Sequence, residues 1–404
     1  MAEFDSRGLP ISTGSPQAAR SYRTGVDLLL SAWPGAEDAL RQAIDHDPQF
    51  ALAHAALARL YAIKGQPADA RASIATAQAI VARNGSPREI GHVSVVALAV
   101  TGQSVKALET TLAHLDQWPR DVLILSLPLG AFGLFAFSGM TDHDQARVDL
   151  CETLADRYDA DDWWFLTYRG WSHAENGSVA KGRDFAQRGL EQRRANANAA
   201  HAVAHAMFEQ GATREAETLL EGWLPEYDRA GLLHGHLAWH AALSALERDD
   251  PQHVLAIYSK HVRPSVSLGL PINVVSDTVS LLWRLQAYGY DVPPACGRRP
   301  RATRDRDIRT LASLSSKSTW DSWRRRPDDT WLRPTVSTQT LSASRTAHCR
   351  PAPSSRRSVR PRSLLRTPIT LNACESSSPW LEKSLASAAA ARRGKSSRTC
   401  CCSL

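Results

Sequence analysis

Residues 36–82 read AEDALRQAIDHDPQFALAHAALARLYAIKGQPADARASIATAQAIVA, and two helices joined by a tight turn can be written directly onto them. Leu57, Ala58 and Tyr61 share one face of the first helix. Gly65 closes it, because a left-handed residue ends a helix there without the clash a Cβ would bring. Ala70, Ile74 and Ala77 mark the inner face of the next helix at i, i+4 and i+7. Small and large side chains alternate as closely crossing helices require. Alanines let the axes approach, and larger groups fill the space beside them. Working outward, Ala36, Leu40 and Ala43 stand 34 residues before Ala70, Ile74 and Ala77, and Pro48 follows them. Gly102, Ala107 and Pro119 repeat the pattern more loosely downstream. Pro48 and Pro119 stop helices where a new unit should begin.

This unit resembles the tetratricopeptide repeat, a pair of antiparallel helices that buries its apolar face only by stacking on its neighbours. Helical periodicity predicts pairs over roughly residues 17–46, 50–83, 87–116, 123–157, 161–192, 196–225 and 231–262, with Gly177, Gly211 and Asp249-Asp250-Pro251 breaking the last three. A further helix, about 272–289, has apolar positions at Val275, Val279, Leu282 and Trp283 and no partner after it. Strand-like alternation is absent, so the expected fold is all-α: a solenoid of about seven helix pairs over residues 1–293. The longest apolar run, Val122 to Phe137, contains Pro128, Gly130 and Gly133 and is too short and broken to span a bilayer. It reads as a buried solenoid helix.

Composition divides the chain near Val292. Residues 1–293 hold 13 of the 14 histidines and one of the 7 cysteines, Cys151. Residues 294–404 hold 20 Arg, 20 Ser and six Cys, with 23 bases against 7 acids. The chain's net charge of +7 therefore hides an acidic body and a basic tail. A nucleic-acid reading would rest on the tail alone. An abrupt gain of Arg, Ser, Pro and Cys with loss of His, Asp and Glu reads as a disordered, out-of-frame end of a GC-rich gene. One cysteine in the body fits a reducing compartment, and Met1 to Ser15 lacks the basic-then-apolar layout of a secretory signal, so a cytoplasmic location is expected.

The chemistry concentrates at residues 201–240. His201 and His205 share a helix face, as do His236 and His240, and both pairs are offset by 35 residues, one repeat length within a residue. Equivalent positions in consecutive repeats stack side by side on the inner surface of a superhelix. Asp277 follows one repeat further on. Four imidazoles and a carboxylate are thus expected in one groove, with His173 and Glu175 at its rim. His-x3-His is a chelating spacing on a helix, which makes Zn2+ a possible cofactor. Semi-buried polar rungs packed beside Trp223 and Trp239, or a groove for a peptide or small molecule, are the competing readings. His234 reads as opening its helix, outside the cluster.

The segments Gly8-Leu9-Pro10-Ile11-Ser12-Thr13, Gly170-Trp171 through Gly177, His201-Ala-Val-Ala-His205, His236-Leu-Ala-Trp-His240 and Asp277-Thr-Val-Ser-Leu-Leu-Trp-Arg284-Leu285 together resemble the tetratricopeptide repeat protein 38 family, over about residues 5–293. Phe208, with Glu209 beside it, stands where the resemblance leads one to expect an acid. The resemblance implies an α-helical solenoid and no settled activity. Glycine-rich phosphate loops, His-Glu-x-x-His and Gly-x-Ser-x-Gly are absent. The expected function is binding of a protein, peptide or small ligand in the histidine-lined groove, without a membrane. The alternative is a metal-dependent hydrolytic enzyme using His201, His205, His236 and His240.

Overall fold

The structure, a computed structural model, describes residues 2–292. The Arg/Ser/Pro-rich segment 294–404 lies outside the described residues. Within them the chain forms fifteen α-helices: α1 (Pro16–Leu30), α2 (Ala36–His46), α3 (Ala51–Ile63), α4 (Pro67–Asn84), α5 (Pro87–Val100), α6 (Ser104–Gln117), α7 (Val122–Leu129), α8 (His143–Thr153), α9 (Trp163–Glu175), α10 (Val179–Gln192), α11 (Ala197–Glu209), α12 (Thr213–Trp223), α13 (His234–Glu247), α14 (Pro251–Ile257) and α15 (Pro271–Ala287). They fall into seven successive pairs and one single helix, although the helices of the fourth pair, α7 and α8, pack on α6 and α9 rather than on each other. A two-residue hairpin precedes them, β1 (Glu3–Phe4) antiparallel to β2 (Pro10–Ile11), too short to leave an alternating pattern in the sequence.

One device recurs where the repeat consensus has faded. Gly65, Gly102, Gly177 and Gly211 each follow the first helix of a pair in the left-handed region. In each case the next N–H bonds back across the turn, as from Gln66 to the Tyr61 carbonyl at 2.9 Å and from Ala212 to the Met207 carbonyl at 2.9 Å. These bonds satisfy carbonyls that a helix end otherwise leaves open. Asp249, at φ 67°, does the same work after α13, and Asp250 N–H reaches the Ala245 carbonyl at 3.1 Å.

Two of the sequence-based expectations are corrected. The apolar run does not continue as helix to Phe137. α7 ends at Leu129, directly after Pro128, whose ring cannot continue the hydrogen-bond ladder. The chain then runs without regular structure to α8, leaving Phe132 and Phe137 exposed. On α15 the buried stripe is Val274, Asp277, Leu281, Leu282 and Leu285; Trp283 is exposed, and Val275 and Val279 lie outside the stripe. The inward stripe starts at Val274 because Asp277 and Leu281 follow it at helical spacing, one face round from Trp283.

The array also closes on itself. The carbonyl of Ser31, just after α1, accepts from Ala197 N–H at 2.9 Å, and the Leu30 carbonyl accepts from Asn198 Nδ2 at 2.9 Å. The Tyr227 hydroxyl donates to the Ala32 carbonyl at 2.6 Å. Trp33 packs between Trp223 and Tyr227, at centroid distances of 5.8 and 5.0 Å. The first pair is thereby joined to the sixth. Further up the N-terminal segment, Arg7 pairs with Asp162 at 3.1 Å. Ser12 binds the Glu89 carboxylate through both its N–H and its hydroxyl, at 2.8 and 2.6 Å.

Candidate functional site

Alanine explains how two histidine-bearing helices come close. In α11, Ala197, Ala199, Ala200, Ala202, Ala204 and Ala206 are all buried, so little side-chain volume separates this helix from its neighbours. Asn196 starts the helix by accepting the Ala199 N–H at 3.1 Å, a cap worth about 1 kcal/mol. α13 runs beside it with Leu237, Ala238, Ala241 and Ala242 buried. The remaining face of each carries the histidines.

His201, His205, His236 and His240 meet there, and one ring nitrogen of each lies within 4.8 Å of those of the other three. His201 Nε2 is 3.1 Å from His236 Nε2 and 3.1 Å from His240 Nε2. Two carboxylates stand behind the rings. Asp277 on α15 brings both oxygens to 3.0 Å from His236 Nδ1. Glu175, at the end of α9, is 3.2 Å from His205 Nδ1. The acid beside His205 therefore comes from the preceding pair, and α11 does not need to supply one at Phe208. Trp171 stacks on His201 at 5.2 Å, and Trp239 stacks on His236 at 5.3 Å. Trp223, expected beside the histidines, instead packs on Trp33 and donates its indole N–H to the Arg194 carbonyl at 2.9 Å.

Hydrogen bonding assigns the protons. With Asp277 accepting at Nδ1, His236 keeps its proton on that nitrogen and presents a bare lone pair at Nε2. Glu175, 3.2 Å from His205 Nδ1, stands close to that ring without the hydrogen bond that would fix its proton. Burial, followed by the charge His205 and His236 would carry, holds His201 well below the usual imidazole range. Burial, the three other histidines and Arg284 do the same to His240. Both rings are thus neutral near pH 7. His201 Nε2 faces two other nitrogens, and a single proton on it can serve only one of those contacts.

Other histidines have other work. His173 bonds to Glu152 at 2.5 Å. Burial, then His261 and Arg229, lowers His234 to about 4; it opens α13 and packs on His261. His92 and His114, unremarked in the sequence, both bind buried Asp121 at 3.0 Å. Glu217, Glu221 and His253 form a second, outward-facing group, in which Glu217 is already paired with Arg248. No helix among the described residues is long and apolar enough to cross a membrane.

A tetratricopeptide-repeat family profile matches residues 39–72, within α2, α3 and the start of α4. The chain carries a tetratricopeptide repeat. Among solved structures it is similar to a monomeric mutant of IFIT1 with Gppp-AAAA, at 16% identity over 67% of this chain and 55% of that one, with a TM-score of 0.35. It is similar to pilF of Pseudomonas aeruginosa at 14% identity over 60% of this chain and 88% of that one, with a TM-score of 0.26. It is also similar to Naa15/Naa10 bound to HypK-THB, at 14% identity over 74% of this chain and 37% of that one, with a TM-score of 0.24. The chain thus spans about half the length of the first of these and about a third of the last.

Proposed function

We propose that this tetratricopeptide-repeat body is an interaction scaffold whose inner helices bind one borderline divalent metal ion, Zn2+ or a close relative, through His201, His205, His236 and His240. The observation that carries this reading is the convergence of the four rings. Zinc–nitrogen bonds of about 2.0–2.1 Å place tetrahedral ligands about 3.3 Å apart. The two N···N contacts of 3.1 Å at His201 are close to that edge. Carboxylates on the far nitrogens of His205 and His236 have the outer role that orients metal-binding imidazoles and raises their basicity. The same two His-x3-His segments and the Asp277 helix carry the resemblance to the tetratricopeptide repeat protein 38 family, which we take to be this chain's family.

Four imidazoles complete a tetrahedral set, whereas hydrolytic zinc keeps a position open for water. Binding is therefore the reading preferred over hydrolysis, with the metal organising a surface for a peptide or small ligand in the cytoplasm. The test is metal analysis of the full chain after dialysis, with His201→Ala alongside. The wild type should hold one equivalent more zinc than His201→Ala, and added Zn2+ should raise its melting temperature. Co2+ loading at this site should give a visible absorption without a thiolate charge-transfer band, separating it from the cysteines beyond residue 293. Equal metal content in both proteins and no thermal response would overturn the reading.

A further inference from the structure

The second helices of the sixth and seventh pairs carry a donor set of their own. Glu217 and Glu221 are four residues apart on α12, so their carboxylates share a face. His253 meets them from the first turn of α14, where the Asp250 side chain accepts its backbone N–H at 3.0 Å and fixes the start of the helix. One donor atom from each of the three lies within 4.8 Å of the other two. His253 Nε2 is 3.2 Å from Glu221 Oε1 and 3.5 Å from Glu217 Oε1.

Three features suit these atoms to a shared cation. Bonds of about 2.0–2.2 Å to nitrogen and oxygen set neighbouring ligands of one ion about 3.0–3.6 Å apart, and both contacts of His253 Nε2 fall in that range. A single proton on Nε2 can bond fully to only one of the two carboxylates, whereas an ion between them serves all three groups. Charge points the same way. With the imidazole neutral, as a ligand must be, two carboxylates against the guanidinium of Arg248 leave one negative charge. Arg248, just after α13, donates to Glu217 Oε1. A carboxylate has about four acceptor positions, so this bond leaves room for an ion. It also has the outer role of holding a ligating carboxylate in place.

We propose that Glu217, Glu221 and His253 form a second divalent-cation site, which completes its shell with water and takes Mn2+ or Zn2+. One imidazole and two carboxylates favour a harder ion than four imidazoles do. Glu221 is exposed, so the ion keeps positions open to solvent. The ion ties α12 to α14, which pack on α11 and α13, the two helices that carry the clustered histidines. It therefore fixes the spacing of the sixth and seventh pairs from a second side.

The test is a Mn2+ titration of the full-length protein, read from the electron paramagnetic resonance of the free ion, on wild type, Glu221→Gln, His253→Gln and His201→Ala. Manganese is the probe because carboxylates suit it and imidazoles alone hold it poorly. Wild type should bind one Mn2+, which Zn2+ displaces. Glu221→Gln and His253→Gln should each weaken that binding tenfold or more, and His201→Ala should leave it unchanged. Both substituted side chains reach solvent, so the variants keep their packing. Added Mn2+ should raise the melting temperature of wild type and not that of Glu221→Gln. The acids beyond residue 293 are the same in all four proteins, so weak binding there cancels. No Mn2+ bound by wild type overturns the proposal, as does undiminished binding by Glu221→Gln and His253→Gln. Loss in His201→Ala alone would put the ion among the four imidazoles and overturn it too. A protein that binds Mn2+ as expected yet holds no zinc at the histidines keeps this site and removes the other.

Discussion

Asp121 is 2% exposed and binds three side chains at once: Arg88 at 3.1 Å, His92 at 3.0 Å and His114 at 3.0 Å. Burial alone would raise its carboxyl, but His92, His114 and Arg88 outweigh it and hold the group far below the usual carboxylate range. Asp121→Asn should destabilise the protein by about 3 kcal/mol at pH 7, since Arg88 would keep its burial and lose its main counter-charge. The sign with pH follows from the depressed value. The unfolded carboxyl titrates at about 3.9, so the stabilisation is complete above that and shrinks as pH falls towards the folded value. Denaturant melts of both proteins should therefore show a gap that is flat from pH 7 to 5 and closes only in stronger acid. A gap that already closes at pH 5 would contradict the assignment. Nothing in the sequence pointed to this group. His92, His114 and Asp121 are brought together by tertiary packing alone, whereas His201 and His236 announce themselves by sharing a position in consecutive repeats.

The glycines of α9 and α10 belong to the scale of elements. A Cβ on Gly170 would lie 2.5 Å from the Ala186 backbone nitrogen, and one on Gly182 would lie 2.5 Å from that of Ala174. Both near neighbours are backbone, which cannot swing aside. Gly170→Ala should therefore cost about 1–3 kcal/mol through forced separation of the two helices, despite alanine's better helix propensity. Gly222, on α12, has nothing within 4 Å of its would-be Cβ and serves as the control. Its alanine variant should be neutral or slightly stabilising by thermal melt. If both variants gain stability, the close crossing is not tight. Trp171, next to Gly170, stacks on His201, so a separated α9 should also loosen the histidine centre. At this scale most of the fold was legible, because 3.6-residue periodicity and left-handed glycines are local signals. The premature end of α7 was not, since its apolar run continues through Gly130 to Phe137 with no polar residue to mark the change. The acid at His205 was read only as a rim residue, because its approach depends on how α9 lies against α11.

For the whole molecule the decisive feature is the junction of the first pair with the sixth, made by backbone carbonyls of Leu30, Ser31 and Ala32. Carbonyls carry no sequence signature, so no reading of residue types could have found it. An open stack of repeats behaves as a line, in which each unit feels only its neighbours and the ends fray first. Joining the first unit to the sixth makes that line a loop. An opening at the N-terminus then has to break contacts whose other half supports the histidine helices, and the two ends lose the freedom to melt independently. Hydrogen exchange should show this directly. Amides of α1 and α11 should open with nearly the same free energy, and Trp33→Ala should lower both together. Protection that falls in α1 while α11 is untouched would mean that the loop is open in energetic terms. A closed loop also exacts a toll in time. Contacts between residues 30–33 and 197–227 can form only after some 165 residues of intervening chain have come to order, which long-range closure makes slow. The histidine centre, downstream of that closure, should therefore reach its final geometry among the last events of folding.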